Sequence, residues 1–319
     1  MEFIKELTAF LKNEKQVFIQ THNFPDHDAV ASAFALQELL KQTGINSDII
    51  YEGEIQRDSL KEMISRLGIV ITHNSKFELR EEHKIVIVDG CKGNKNVTDL
   101  IGDEIAVIDH HQVANPEDVK FVDIRPEYGA CSTIIAEYYR DLSIPISKEA
   151  ATALMIGINM DTSLLTRSVS LNDIEVYSEL YRTSNISLQN AILRNYIQTK
   201  DLQFYRHAIE AVKIRNNIAF CYFPDGCSQN LLGILGDFLL ALEEVDFVIL
   251  CANNGGKINV SLRSENEKWN AARIIQDSLS GFGFGGGHAD MAGGIIKNAA
   301  DFNEKKLFEI FLDNMPSII

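Results

Sequence analysis

Short runs of β-branched and aromatic residues, each ended by polar residues and followed by apolar positions at helical spacing, recur along the first half of the chain. Val17, Phe18 and Ile19 form the first run. Pro25 and its polar neighbours stop it, and from Ala29 to Leu40 the apolar residues fall at helical intervals, so the segment reads strand, loop, helix. Asp48 to Tyr51 and Gly68 to Ile71 read as two further strands with QRDSLKEMISRL as a helix between them. Ile85 to Val88 and Ile105 to Ile108 are continuous apolar runs of the kind buried on both faces. Alternating strands and helices predict βαβ units and an α/β fold with a mainly parallel sheet. The opening MEFIKELTAFLKNEKQ alternates charged and apolar residues as an amphipathic helix does.

From Leu171 to about His207 the pattern turns helical and polar, with YRTSNISLQ as a break. Strand-like runs then resume at Ile218 to Phe223, Phe247 to Cys251 and Ile258 to Leu262, with the helical SQNLLGILGDFLLALEEV between the first two. The expected organisation is a first domain over 1–185, a helical connector over 186–207 and a smaller α/β domain over 208–319.

Composition narrows the class. With 45% hydrophobic, 24% charged and 8% aromatic residues among 319, the chain reads as an ordinary globular protein. No apolar run approaches the ~20 residues of a membrane span. The first residues lack the uninterrupted apolar core and small-residue cleavage site of a signal peptide, so a cytoplasmic location is expected and no membrane partner. Five cysteines without a Cys-x-x-Cys pair read as buried thiols. A net charge of −15 argues against coating long duplex nucleic acid through a basic surface.

The chemistry gathers where strands end. His22, Asp26 and Asp28 crowd the loop after the first strand. Asp89 follows the run ending at Val88, and Asp109, His110 and His111 follow the run ending at Ile108; Asp161 adds a carboxylate at a helix-to-loop boundary. Ligands of open α/β sheets bind beyond the carboxyl ends of the strands, and imidazole with carboxylate suits a divalent ion such as manganese or zinc. Each Asp alone also reads as a helix cap or turn residue. Gly129-Ala130-Cys131-Ser132-Thr133 opens another helix, where amides and hydroxyls suit an anion and Ser132 or Thr133 equally suits an N-cap. GFGFGGGHADMAGG, residues 281–294, contains a G-x-G-x-x-G pattern, but it follows a predicted helix near the chain end, which excludes the dinucleotide-binding reading. It is expected to be a glycine-rich loop whose consecutive amides hold an anion.

These motifs, in this order and spacing, resemble the DHH phosphoesterase family: His22-x-x-Pro25-Asp26-x-Asp28 with Ser32, Val88-Asp89-Gly90, Asp109-His110-His111, and Gly157 through Thr162. Gly285-Gly286-Gly287-His288 with Arg263 resembles the DHH-associated substrate-binding domain, and the whole chain most resembles the NrnA-like oligoribonuclease (nanoRNase) and pAp phosphatase group. The resemblance implies two divalent ions, manganese, one held by His22, Asp26 and Asp89 and the other by Asp28, Asp89, His110 and Asp161. Asp89 would bridge them, with the active site in the cleft between the domains. Two such ions activate a bridging water and neutralise charge in an in-line displacement at phosphorus. His111 is then the group facing substrate as donor or acid, and Asp109 orients a histidine. Ser132, Thr133, Arg263, Gly285, Gly286, Gly287 and His288 are the candidate substrate contacts. His27 stands where the family usually has Gly, and it either crowds the loop or adds a contact. The expected substrates are short oligonucleotides or small nucleotides such as 3′-phosphoadenosine 5′-phosphate, and a homodimer is the candidate assembly. The alternatives are a phosphodiesterase for linear or cyclic dinucleotides, a pyrophosphatase, and a nucleotide-binding regulator without catalysis.

Overall fold

A computed structural model describes residues 2–194 and 197–316. The chain divides into two compact units, Met1–Tyr196 and Ile197–Ile319.

The first unit runs α1 (Glu2–Leu11), β1 (Val17–Thr21), α2 (His27–Gln42), β2 (Ser47–Tyr51), α3 (Asp58–Leu67), β3 (Ile71–His73), β4 (Lys84–Val88), β5 (Asp103–Asp109), β6 (Phe121–Ile124), α4 (Cys131–Leu142), α5 (Lys148–Asp161), α6 (Leu171–Tyr181) and α7 (Ile186–Arg194). Its six strands form one sheet in the order β3-β2-β1-β4-β5-β6, every neighbour parallel. The chain builds outward from β1 to β3, then returns to the other side of β1 for β4. The order therefore reverses between β1 and β4, and it is at such a switch point that doubly wound sheets leave a crevice for ligand. Alternate residues face opposite layers, as strand geometry requires. Val17, Ile19, Val86, Val88, Ala106 and Ile108 pack with the helices, whereas Phe18, Ile85, Ile87 and Val107 pack into a smaller cluster on the other face.

α2 is buried continuously from His27 to Leu36, so it has no solvent stripe over that length, and small Ala29, Ala31, Ser32, Ala33 and Ala35 let its neighbours approach closely. Gly157 does the same on α5, since a Cβ there would fall 2.7 Å from Asp28 Oδ1.

The second unit runs α8 (Leu202–Ala211), β7 (Lys213–Arg215), β8 (Ile218–Phe223), α9 (Gln229–Leu240), β9 (Phe247–Asn254), β10 (Lys257–Ser264), α10 (Ala271–Ser278), β11 (Gly283–Gly287), β12 (Met291–Ile296) and α11 (Glu304–Asp313). Its sheet has the order β11-β12-β10-β9-β8-β7, parallel only between β8 and β9. Leu231, Leu232, Leu235 and Leu239 of α9 cover one face, and Ile274, Ile275, Leu307 and Phe311 of α10 and α11 the other.

The structure departs from the sequence expectations in four places. The third strand begins at Ile71 and not at Gly68, because Gly68, at φ +66°, caps α3 in the left-handed conformation. β6, β7 and β12 were not anticipated. The connector expected over 186–207 is divided, since Leu188, Ile192 and Leu193 of α7 join the first core while α8 packs with the second unit; residues 195–196 lie outside the described residues. Finally, the glycine-rich stretch is no loop: Gly283–Gly287 is the edge strand β11, paired antiparallel to β12. Packing demands glycine at two of its positions, because a Cβ at Gly285 would lie 2.8 Å from Ile275 and one at Gly283 2.6 Å from the Ile295 carbonyl oxygen.

Candidate metal centre

The centre is assembled from the ends of β1, β4 and β5 and the C-terminal end of α5. His22 follows β1, and its Nδ1 lies 2.9 Å from the Asn23 carbonyl oxygen. That contact directs Nε2 towards Asp26 (3.7 Å) and Asp89 (3.6 Å). Asp26 is also the N-cap of α2, its Oδ1 accepting from the amides of Asp28 (3.0 Å) and Ala29 (3.1 Å). Capping and facing the cluster are thus one arrangement, in which the cap fixes the carboxylate.

Asp89 adopts φ +55°, a left-handed backbone that Asp tolerates better than bulky residues. The glycine after it permits the close approach, since a Cβ at Gly90 would lie 3.4 Å from the His22 Cβ and 2.8 Å from Val97. On β5, Asp109 Oδ1 accepts from the amides of His110 (2.8 Å) and His111 (3.2 Å) and from His111 Nδ1 (2.8 Å). His110 places Nδ1 3.2 Å from the Tyr128 carbonyl oxygen, and its Nε2 lies 3.4 Å from Asp89, 3.3 Å from Asp161 and 4.0 Å from Asp28.

Asp28 is fully buried, and the N-terminus of α4 holds it: the amides of Cys131 and Ser132 donate to its two oxygens at 2.7 and 3.0 Å. The anion expected at this helix start is therefore the protein's own carboxylate. Ser132 and Thr133 are not caps, because Ala130 occupies that position, and both are fully buried. Ser132 Oγ lies 3.4 Å from Ser32 Oγ, and Thr133 donates to Asp173. Ser132 thus supports Asp28 through its amide, while Thr133 is tied to Asp173.

Among the described residues, three sets of ligand atoms lie within 4.8 Å of one another: His22, Asp26 and Asp89; Asp28, Asp89, His110 and Asp161; and Asp89, His110 and His111. Asp89 is common to all three. The donor set fits divalent cations, being imidazole and carboxylate oxygen. Two buried atoms aimed into it, Asp89 Oδ1 and His110 Nε2, have no hydrogen-bond partner, which buried polar atoms rarely tolerate. The charges point the same way. Burial, then the carboxylates of Asp89 and Asp161, push the Asp28 carboxyl well above its usual range; burial, then Asp26 and Asp89, push Asp161 up to about 6. Burial alone would lower His22, but Asp26 and Asp89 outweigh it and raise the imidazole to about 10. Such crowded carboxylates call for cations.

His27 adds a contact. It is fully buried in the first turn of α2, with Nε2 3.0 Å from Ser59 Oγ in α3, and burial with Arg57 nearby lowers it to about 4, so it is neutral. A positioning residue escaped the sequence reading altogether. Asp173, fully buried in α6, accepts from the amide of Gly129 (2.9 Å), the amide and hydroxyl of Ser170 (2.7 and 2.6 Å) and Thr133. It thereby fixes the segment that orients His110 and opens α4. Its only trace in the sequence is the capping box formed with Ser170.

The remaining candidates sit in the second unit. Arg263 on β10 donates to Asp237 Oδ1 (2.8 Å) and lies along α9, where a Cβ at Gly233 or Gly236 would come within 2.7 or 3.0 Å of it. Gly285, Gly286 and Gly287 lie on β11, and exposed His288 follows, its amide donating to the Met291 carbonyl oxygen at 2.7 Å. Met291 pairs with Arg263 and Ala292 with Gly287, so these groups share one end of the sheet.

A shared-carboxylate histidine–aspartate centre at the switch point of a doubly wound sheet suits a pair of divalent ions of the kind that metal-assisted hydrolases use. Residues 16–158 match the DHH family, N-terminal domain, and residues 215–312 the DHHA1 domain, so the chain carries a DHH domain followed by a DHHA1 domain. It is similar to an uncharacterized protein of Methanocaldococcus jannaschii, 33% identical over 89% of this chain and 60% of that one. A "probable manganese-dependent inorganic pyrophosphatase" of Streptococcus thermophilus is 25% identical over 54% of this chain and 57% of its own. The chain thus spans about three-fifths of the length of these two relatives. The crystal structure of an exopolyphosphatase-related protein from Bacteroides fragilis shares the fold with a TM-score of 0.80, at 19% identity over 98% of this chain and 95% of that one. No helix among the described residues is long and apolar enough to cross a membrane.

Proposed function

We propose that the chain is a manganese-dependent phosphoesterase acting on short oligonucleotides and small nucleotides. The observation that carries this reading is Asp89, buried and common to every set of candidate ligands. His22, Asp26 and Asp89 would hold one ion, and Asp28, Asp89, His110 and Asp161 the other. When bound, the pair supplies an activated water and charge neutralisation at phosphorus.

The protein's own groups do the rest. With Nδ1 donating to Asp109, His111 presents Nε2 to the departing oxygen and delivers the proton that oxygen needs. Burial would raise the Asp109 carboxyl, but His111 beside it outweighs burial and holds it low, so Asp109 stays an anion that fixes the imidazole. Arg263, Gly285, Gly286, Gly287 and His288 are assigned to the substrate's phosphate or nucleotide, with Arg263 supplying a fixed positive charge for phosphate oxygens.

Hydrolysis of inorganic pyrophosphate is a second reading, favoured by the similarity to the pyrophosphatase. Initial rates on a dinucleotide, 3′-phosphoadenosine 5′-phosphate and pyrophosphate, with manganese and with chelator, separate the two. Metal-dependent turnover greatest on the nucleotides is expected. Turnover of pyrophosphate alone replaces the nucleotide reading, and no metal-dependent rate on any of the three defeats both.

A further inference from the structure

Phe24 stands in the loop of candidate ligands, two residues from His22 and two from Asp26, and none of the contacts described above uses it. The residue is 53% exposed, an unusual placement for Phe inside a loop packed around a buried centre. Its backbone is left-handed, φ +55°, which is uncommon for a bulky residue and demands a holding structure. That structure is present. The Phe24 amide donates to the Glu52 carbonyl oxygen at 2.9 Å, and Pro25 follows, fixing the chain on its other side.

The ring also has a seat. Gly53, at φ +82°, lies against it so closely that a Cβ would fall 2.8, 2.9 and 3.0 Å from Cδ1, Cε1 and Cγ. One side of the ring is therefore set on backbone, while half the residue is left to solvent. Two residues of chain span at most about 7 Å, so the backbone that carries this ring stays that close to the backbones of His22 and Asp26. Backbone strain kept at such a position points to use. A fixed aromatic surface beside a phosphate-hydrolysing centre matches the way single-stranded nucleic acids are held, by base on ring.

We propose that Phe24 is a specificity-determining residue whose ring stacks on the nucleobase adjoining the phosphate under attack. The inference rests on the nucleotide reading above and deepens it: an inorganic substrate has no base to stack, so Phe24 favours nucleotides over pyrophosphate.

Phe24→Leu keeps an apolar group on Gly53 but removes the π-face, whereas Phe24→Trp enlarges it. For an adenine dinucleotide, Phe24→Leu is expected to raise KM about tenfold with kcat nearly unchanged, and Phe24→Trp to keep KM at or below the parent value. The indole introduced by Phe24→Trp is also a reporter, because the chain's own Trp269 is buried at 3% exposure. At fixed manganese, AMP should quench its emission and ribose 5-phosphate, which carries the same phosphate and no base, should not. An unchanged KM in Phe24→Leu, or equal quenching by the two ligands, overturns the proposal. If the parent protein cleaves no nucleotide, the functional reading has failed, and the quenching comparison alone decides the role of Phe24: selective quenching by AMP sustains it and its absence overturns it.

Discussion

Asp89 meets His22 on one side and His110 on the other, at 3.6 and 3.4 Å, so removing its carboxylate strips both candidate ion sets of a shared member. Asp89→Ala is therefore expected to lower kcat by about a thousandfold or more, the scale of losing one member of a cooperating set. Bound manganese should fall below two per chain by elemental analysis, while circular dichroism stays that of the parent. Near-normal turnover with two ions retained would remove Asp89 from the centre. Proton competition gives a second expectation at this scale. In the cation-free protein Asp161 is pushed up to about 6, Asp28 is raised, and His22 is held at about 10. Each of these groups must lose its proton before its ligand atom can take a cation, so binding releases protons and affinity rises with pH. Manganese titration calorimetry at about pH 5 and about pH 8, in two buffers of different ionisation enthalpy, should show weaker binding at the acid end and a buffer-dependent heat. A pH-independent affinity contradicts the ligand set.

At the scale of elements, three helices meet behind the centre. The N-terminus of α4 grips Asp28 on α2, and α5 comes close enough to both only because position 157 has no side chain. Gly157→Ala must push a methyl against Asp28, and over-packing of this kind costs about 1–3 kcal/mol. The expected result is a lower melting temperature together with weaker manganese binding; a stabilised variant, as Ala in a helix would otherwise give, contradicts the close packing. Asp173→Asn probes the next layer. One amide oxygen cannot replace a carboxylate that accepts from Gly129, Thr133 and Ser170, and its NH2 turns a donor on one of them. A loss of about 2–3 kcal/mol in denaturant unfolding is expected. These two positions show what the sequence did and did not disclose. Asp28, Asp89 and Asp161 were legible because His and Asp at successive strand and helix ends have few reasons to recur there. Asp173 was not, because a lone Asp near a helix start reads as a cap, and its contact with Gly129 spans 44 positions that no periodicity links. Likewise the α/β alternation disclosed the parallel sheet, while β11 stayed hidden because glycine carries no strand signal. It lies at the edge of its sheet, where Ile275 and the Ile295 carbonyl crowd the backbone and leave no room for a Cβ at Gly285 and Gly283.

At the scale of the whole molecule, net charge decides which phosphate chains can be held. The chain carries −15, and even with cations at the centre its surface remains anionic. Affinity for long nucleic acids comes from releasing counterions through many lysine and arginine contacts, and the groups assigned here to substrate supply a single Arg and one His. A dinucleotide gains the stacking and metal contacts in full. Each further nucleotide adds a charge that meets an acidic surface without adding a comparable contact. Catalytic efficiency should therefore be greatest for oligonucleotides of about two to five residues and decline with length. The decline should be steeper at low salt, where the screening length is about 30 Å at 0.01 M ionic strength against about 8 Å at 0.15 M. Steady-state kinetics on a labelled length series at those two ionic strengths measures both effects. Efficiency that rises with length and falls as salt is added would mean that a basic track engages the strand, and a processive exonuclease would then replace the short-substrate enzyme. The two outcomes have opposite salt slopes, so repulsion and counterion release are distinguished even where the absolute rates are similar.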